Sequence, residues 1–151
     1  MFTKNKGFFN KVATIFLNPC FHSVVIFRIS QFFHLIKLNI ISKVLWYLNR
    51  IVFSVDIDYR AELAGGLVLV HGLNVVIGKD VKSKGCLTIY QGVTIGGNGN
   101  RYNVDRYGKK YYQPIIENNV KLYTNACIFG PVLISENTII KAGSIITKDV
   151  V

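Results

Sequence analysis

The chain has 151 residues, half of them hydrophobic, with 18 Lys and Arg against 8 Asp and Glu and a net charge of +10. That length and apolar content suit one domain with its own core, and Cys20, Cys86 and Cys127 lack the close spacing of a disulfide framework or a zinc site. The charge favours phosphates or anionic lipid, but the basic residues are dispersed and accompany no recognition helix or aromatic platform, so nucleic acid is not an expected partner.

The first third is apolar and purely cationic, because Lys4, Lys6, Lys11, Arg28, Lys37, Lys43 and Arg50 all precede the first acid, Asp56. Helices are predicted at 8–17, 20–36 and 38–54, with a break at Asn18-Pro19. In the second, Phe21, Val24, Val25, Arg28, Ile29, Phe32, Phe33 and Ile36 recur near helical spacing, leaving His22, Ser23, Ser30, Gln31 and His34 towards other faces. The apolar face has two readings: packing against the main domain or a neighbouring subunit, or attachment to a membrane surface. No stretch reaches the ~18 uncharged residues of a spanning helix, and the start does not read as a secretory signal. The expected location is the cytoplasm, with peripheral contact at the inner face of the plasma membrane left open. Residues 1–55 are taken as a helical segment and 56–151 as the main domain.

After Asp56 an apolar residue recurs every six positions: Ile116, Leu122, Ile128, Ile134, Ile140 and Ile146. Four places after each stands a small or β-branched residue, Val120, Ala126, Val132, Thr138, Ser144 or Val150. Upstream, Ile57/Ala61 and Leu63/Leu67 fit the same unit; the phase then slips by two residues and resumes at Ile77/Val81, Ser83/Leu87, Ile89/Val93 and Ile95. Neither a helical period nor a simple strand period gives this pattern. A hexad with one large aliphatic inward and one small residue at the next corner describes one face of a triangular solenoid. Three hexads close a coil, coils stack ~4.8 Å apart, and residues about eighteen apart become vertical neighbours.

The phase slip falls beside His71, the one histidine of the repeat region, followed by Gly72. With the segments VLVHGLNVVIG (68–78), TIYQGVTIGG (88–97), IIKAGSIITKDV (139–150) and the approach FHSVVIFRISQFF (21–33), nearly the whole chain resembles the bacterial hexapeptide-repeat acyltransferases. The likeness is to the serine acetyltransferase-like branch, nearest its short members that acetylate capsule, O-antigen or exopolysaccharide sugars. The resemblance implies a mainly β fold, a left-handed parallel β-helix after an N-terminal helical segment. It also implies a homotrimer with active sites in the grooves between subunits, acetyl-CoA as co-substrate, no metal, and His71 as catalytic base.

Acetyl transfer from a thioester to an alcohol needs a base for the hydroxyl proton, which imidazole suits near neutral pH, and a backbone N–H for the developing oxyanion. Gly96-Gly97 is the candidate donor, Gly97 as catalytic and both as cofactor-binding residues. Gln91 lies twenty residues after His71, one coil plus the slip, and is expected to position the imidazole or bind the acceptor. In serine acetyltransferases an acid precedes the corresponding His; here Val70 stands there, so a backbone carbonyl, Asn74, Asp56 or Asp58 must orient the ring, and Asn74 is also a substrate candidate. The polar, Tyr-rich segment 98–114 should project from the solenoid, with Gln113 where those enzymes tend to have a His before the Pro. There Arg101, Arg106, Lys109 and Lys110 would meet phosphates of CoA or an anionic acceptor, and Tyr111 and Tyr112 would stack on sugar or adenine. The resemblance places pantetheine along Ala142-Gly143 and a CoA phosphate at Lys148.

The main expectation is acetylation of a sugar hydroxyl in cell-surface polysaccharide synthesis. Serine O-acetylation is the alternative, and a non-catalytic scaffold or membrane adaptor the alternative from another class. A carbonic-anhydrase-type β-helix needs three His around a metal, and this repeat region has one.

Overall fold

The computed structural model describes residues 15–105 and 107–151. Of the helix predicted at 8–17, residues 15–17 are helical and the remainder lies outside the described residues. Asn18 caps helix α1 (Pro19–Leu35), accepting hydrogen bonds from the backbone N–H groups of Cys20 at 3.0 Å and Phe21 at 3.2 Å. Pro19 opens the first turn, where its missing N–H costs nothing. Helix α2 (Asn39–Phe53) folds back along α1 and ends at Ser54, which takes the left-handed conformation at φ 55°.

The faces of α1 differ from the expectation. Ser23 and Ser30, placed off the apolar face, are buried, while Phe21, Val25, Ile29 and Phe32 are exposed. Hydrogen bonds between the helices account for this: Ser30 Oγ donates to the Ser42 carbonyl at 2.8 Å and Asn49 Nδ2 to the Ser23 carbonyl at 3.3 Å.

From Val55 onward the chain coils. Strands β1 (Val55–Ile57), β2 (Glu62–Leu63) and β3 (Leu67–Val70) make the first coil; β4 (Val75–Ile77), β5 (Lys82–Ser83) and β6 (Leu87–Tyr90) the second. The third opens with β7 (Thr94–Gly96), extrudes an antiparallel hairpin of β8 (Asn103–Val104) and β9 (Lys110–Tyr111), and returns as β10 (Ile115–Ile116) and β11 (Val120–Leu122). Strands β12 (Cys127–Phe129), β13 (Leu133–Ile134) and β14 (Ile139–Ile140) form the fourth, and β15 (Ile145–Ile146) starts a fifth. Every third strand stacks in parallel, giving three faces: β1-β4-β7-β12-β15, β2-β5-β10-β13 and β3-β6-β11-β14.

The registers reproduce the arithmetic of the repeat. Ile77 lies over Ile95 and Ile116 over Ile134, eighteen apart. Across the slip the separation is twenty, as for Ile57 and Ile77, and across the extruded hairpin thirty-three, as for Ile95 and Ile128. The inward hexad residues from Ile57 to Ile140 are the core, all 9% exposed or less. Ile146 and Val150, on the last coil, are only partly buried because nothing stacks beyond them. Corners are turned by residues in the left-handed region, Asn74, Asn119, Asn125 and Asn137 at φ 56–60°, a conformation asparagine tolerates.

The hairpin of helices caps the first coil and shares its core through Phe27. Arg28 donates to the carbonyls of Leu63 and Ala64, both at 2.6 Å, and Gln31 to that of Ala61 at 2.8 Å. The strand edge that an open solenoid would leave bare is thereby covered in part.

Candidate functional site

His71 follows β3 with φ 56°, a left-handed conformation uncommon outside glycine and found more often for Asn, Asp and His. The two extra residues of the phase slip are spent here, in a turn held at several points. The Leu73 N–H donates to the His71 carbonyl at 2.5 Å, the Asn74 N–H to the Ser54 carbonyl at 2.9 Å, and the Gly72 N–H to Cys20 Sγ at 3.2 Å. The imidazole is exposed, on the rim of a cavity of about 610 Å³. Its walls are Asn18, Cys20 and Ser23 at the start of α1, Val52 and Phe53 at the end of α2, and Val68, Val70 and Leu73. The helical segment therefore lines the same cavity, and the Cys20 thiol ties the start of α1 to the His71 turn.

Gln91 follows Tyr90, which pairs with Val70, so its backbone leaves the strand stacked directly on the one that precedes His71. Its Oε1 is buried without a hydrogen-bond partner. Backbone hydrogen bonds continue along the same prism edge: Gly92 N–H to the Leu73 carbonyl at 2.9 Å, Asn125 N–H to Gln91 at 3.0 Å, and Gly143 N–H to Thr124 at 2.9 Å. One edge therefore carries His71, Gln91, Thr124 and Ala142-Gly143 over three coil steps, roughly 14 Å. Gly92 is required there, because at φ 71° a Cβ would lie 1.9 Å from Asn125 Oδ1.

The other predicted residues belong to a second edge. Gly96 ends β7, the Gly130 N–H donates to the Gly96 carbonyl at 2.9 Å, and the β12–β15 register carries this edge on to Lys148. Gly97 is exposed, and the space a Cβ would fill at Gly96 is empty. Gln113 lies against Gly78 and Gly97, its Oε1 buried and unpaired. Lys148 and Arg101 line a cleft of about 260 Å³ with Asn98, Tyr102, Asn103 and Asp149. Within one chain, then, Gly97 does not meet His71. A three-residue strand and its corners separate the two edges.

The segment 98–114 projects as expected, but among the described residues its cations do not gather into one cluster. Lys110 Nζ sits 4.1 Å from the centre of the Tyr102 ring, which also contacts Tyr112 at 6.0 Å. Lys109 is exposed, Arg106 lies outside the described residues, and only Arg101 joins Lys148. Burial pushes the Tyr111 phenol up from its ordinary value.

The acids offered for orienting His71 are engaged elsewhere. Asp56 accepts from Trp46 Nε1 at 2.8 Å and lies 3.5 Å from Arg50; Asp58 holds Arg60 through both carboxylate oxygens. Asn74 serves as a corner residue.

No family model matches the chain. It is 32% identical over 150 residues to a serine acetyltransferase of Synechococcus elongatus, covering 99% of this chain and 59% of that one. It is 29% identical over 140 residues to the Helicobacter pylori serine acetyltransferase, covering 93% of this chain and 78% of the relative. Among solved structures, the Neisseria gonorrhoeae serine acetyltransferase in complex with serine superposes with a TM-score of 0.80 at 30% identity, over 92% of this chain and 54% of that one. The Brucella abortus enzyme gives 0.83 at 23% identity, over 97% and 57%. This chain has the left-handed β-helix fold of the hexapeptide-repeat acetyltransferases. It spans about six-tenths of the Synechococcus relative's length. The relatives are named serine acetyltransferases rather than capsule or O-antigen enzymes, so the hexapeptide-repeat reading gains support and the narrower saccharide branch gains none.

Proposed function

We propose that the chain is an acetyl-CoA-dependent O-acetyltransferase, acting as a homotrimer on a small hydroxyl acceptor, with L-serine the first candidate because the relatives carry that name. One observation carries the reading: His71 stands in a held, left-handed turn at the mouth of a cavity, on the same edge as Ala142-Gly143. An acceptor hydroxyl in the cavity gives its proton to the His71 imidazole as its oxygen attacks the thioester carbonyl carbon. The carbon–sulfur bond then breaks, and the leaving thiolate takes the proton back from the imidazolium. No acyl-enzyme is needed, and neither Cys86 nor Cys127 touches the cavity.

The oxyanion donor must come from outside the His71 turn, whose Gly72 and Leu73 N–H groups are already bonded. Gly96-Gly97 can fill that role only from a neighbouring copy, which is the reason for proposing the trimer.

A neutral saccharide hydroxyl is the second reading, favoured by the cavity chemistry. The walls contributed by one protomer are largely aliphatic and aromatic and include no carboxylate or guanidinium to meet an amino acid's two charges. Following thiol release from acetyl-CoA with L-serine and with neutral sugars as acceptors tests both. Saturable turnover of serine establishes the first reading, and turnover of sugars alone the second. Absence of turnover with any acceptor, together with absence of CoA binding by calorimetry, refutes the enzymatic reading.

A further inference from the structure

We propose that the α1–α2 hairpin is a docking element that lies on an anionic lipid surface. Phe27 reaches the solenoid core, but the seam between the two helices is polar. The contact between the helices is made by Ser23, Ser30, Ser42 and Asn49, each 1% exposed or less. On α2 the large aliphatics face out: Ile40 is 81% exposed, Val44 52%, Ile51 60% and Val52 62%. With Tyr47 and Leu48, at 100° per residue, they span an arc of roughly 140°. Helix α1 adds an outward row at i, i+4 spacing, Phe21, Val25 and Ile29, with Phe32 and Ile36 continuing it. Small polar residues between helices and aliphatic ones outside is the arrangement helices take when their surroundings are apolar. Neither described helix is long and apolar enough to cross a membrane, so the hairpin lies along the surface.

Charge selects the occupant. Lys43 lies along one edge of the α2 arc, beside Arg50, whose guanidinium is 3.5 Å from Asp56; Lys37 stands in the turn between the helices, and the sequence has no acid before Asp56. A second copy docked face to face would bring these cationic rims together, whereas anionic headgroups complement them. Val52 belongs both to this arc and to the wall of the His71 cavity, but Val44 and Ile51, which carry the test, do not line that cavity.

The test is co-sedimentation of the purified full chain with vesicles of phosphatidylcholine alone and of phosphatidylcholine with phosphatidylglycerol in equal parts. Binding to the anionic vesicles, weak binding to the neutral ones, and partial release at about 0.5 M salt are expected. Val44→Asp/Ile51→Asp should abolish binding while melting as cooperatively as the parent. Lys43→Glu, a single exposed change that keeps the test open if the double variant does not fold, should weaken binding about ten-fold. A parent protein that stays in the supernatant with both vesicles, or a folded double variant that binds as well as the parent, overturns the proposal. So does ultracentrifugation showing that the double variant splits an assembly of copies that does not bind vesicles.

Discussion

Replacing His71 by asparagine separates the base from the turn it occupies. At φ 56° an alanine would add backbone strain of about 1 kcal/mol or more, so a loss of activity in His71→Ala would mix chemistry with a distorted turn. Asparagine already fills the same conformation at Asn74, Asn119, Asn125 and Asn137, so His71→Asn should keep the hydrogen bonds from Leu73, Gly72 and Gly92 that tie the turn to its neighbours. With the side chain exposed and outside the core, the melting temperature should move by no more than a few degrees. Loss of a general base costs ~10²–10⁴ in turnover, equivalent to about 2.7–5.4 kcal/mol of transition-state stabilisation. The assay is the initial rate of thiol release at saturating acetyl-CoA, alongside calorimetric CoA affinity, which should change little. A folded His71→Asn that keeps a tenth or more of the parent rate removes His71 from the chemistry.

Ile134 is fully buried between Ile116 below and Val150 above, so Ile134→Asp buries a charge with no partner, at a cost of several kcal/mol against a total stability of about 5–15. No soluble folded protein is expected, and a cooperative melt would refute the inward register. At Asp58, burial would raise the carboxyl, but its hydrogen bonds and charge contact with Arg60 outweigh this and hold it below its ordinary value. A lowered folded-state value contributes stability above the unfolded value near 3.9, lost as pH falls through the folded one. Asp58→Asn should therefore cost about 1–2 kcal/mol at neutral pH and flatten the acid unfolding limb; an unchanged limb sinks that account. Co-expressing His71→Asn with Lys148→Glu, each impaired alone, should restore about a quarter of parental activity if each site uses one edge from each of two protomers. Mixed assemblies no more active than the separate variants would count against a shared site.

The hexads reveal the coil because each face of each turn needs one inward residue, a large aliphatic everywhere but Ser83, and every such residue from Ile57 to Ile140 is buried. The slip at His71 was visible as a change of phase, and the same count gave the twenty-residue register of Val70 on Tyr90. The role of Cys20 was not visible, since no periodicity relates a residue at the start of α1 to a turn fifty-two positions later. Nor could helical spacing show which face of the hairpin is inside. It marks an apolar face, but burial here follows the hydrogen bonds of Ser30 and Asn49. The stacking of Lys110 on Tyr102 depends on how the extruded strands pair, which composition does not encode.

The placement of the candidate residues on two edges follows from the hexad count. Counting coils tells which residues stack, while counting hexads within a coil tells which edge they occupy. His71 and Gln91 differ by one coil with its slip, whereas Gly97 lies a further hexad on, at the next corner. A face of this width holds such residues roughly 15 Å apart, at ~3.3 Å per strand residue, too far for a base and an oxyanion donor to act on one carbonyl. In the proposed assembly, two copies placed edge to edge would remove the difficulty, one presenting His71 and Ala142-Gly143 to the Gly96-Gly97 and Lys148 corner of the next. Such a contact between two different surfaces would be heterologous, and it would close into a ring of three if each copy were turned by a third of a circle.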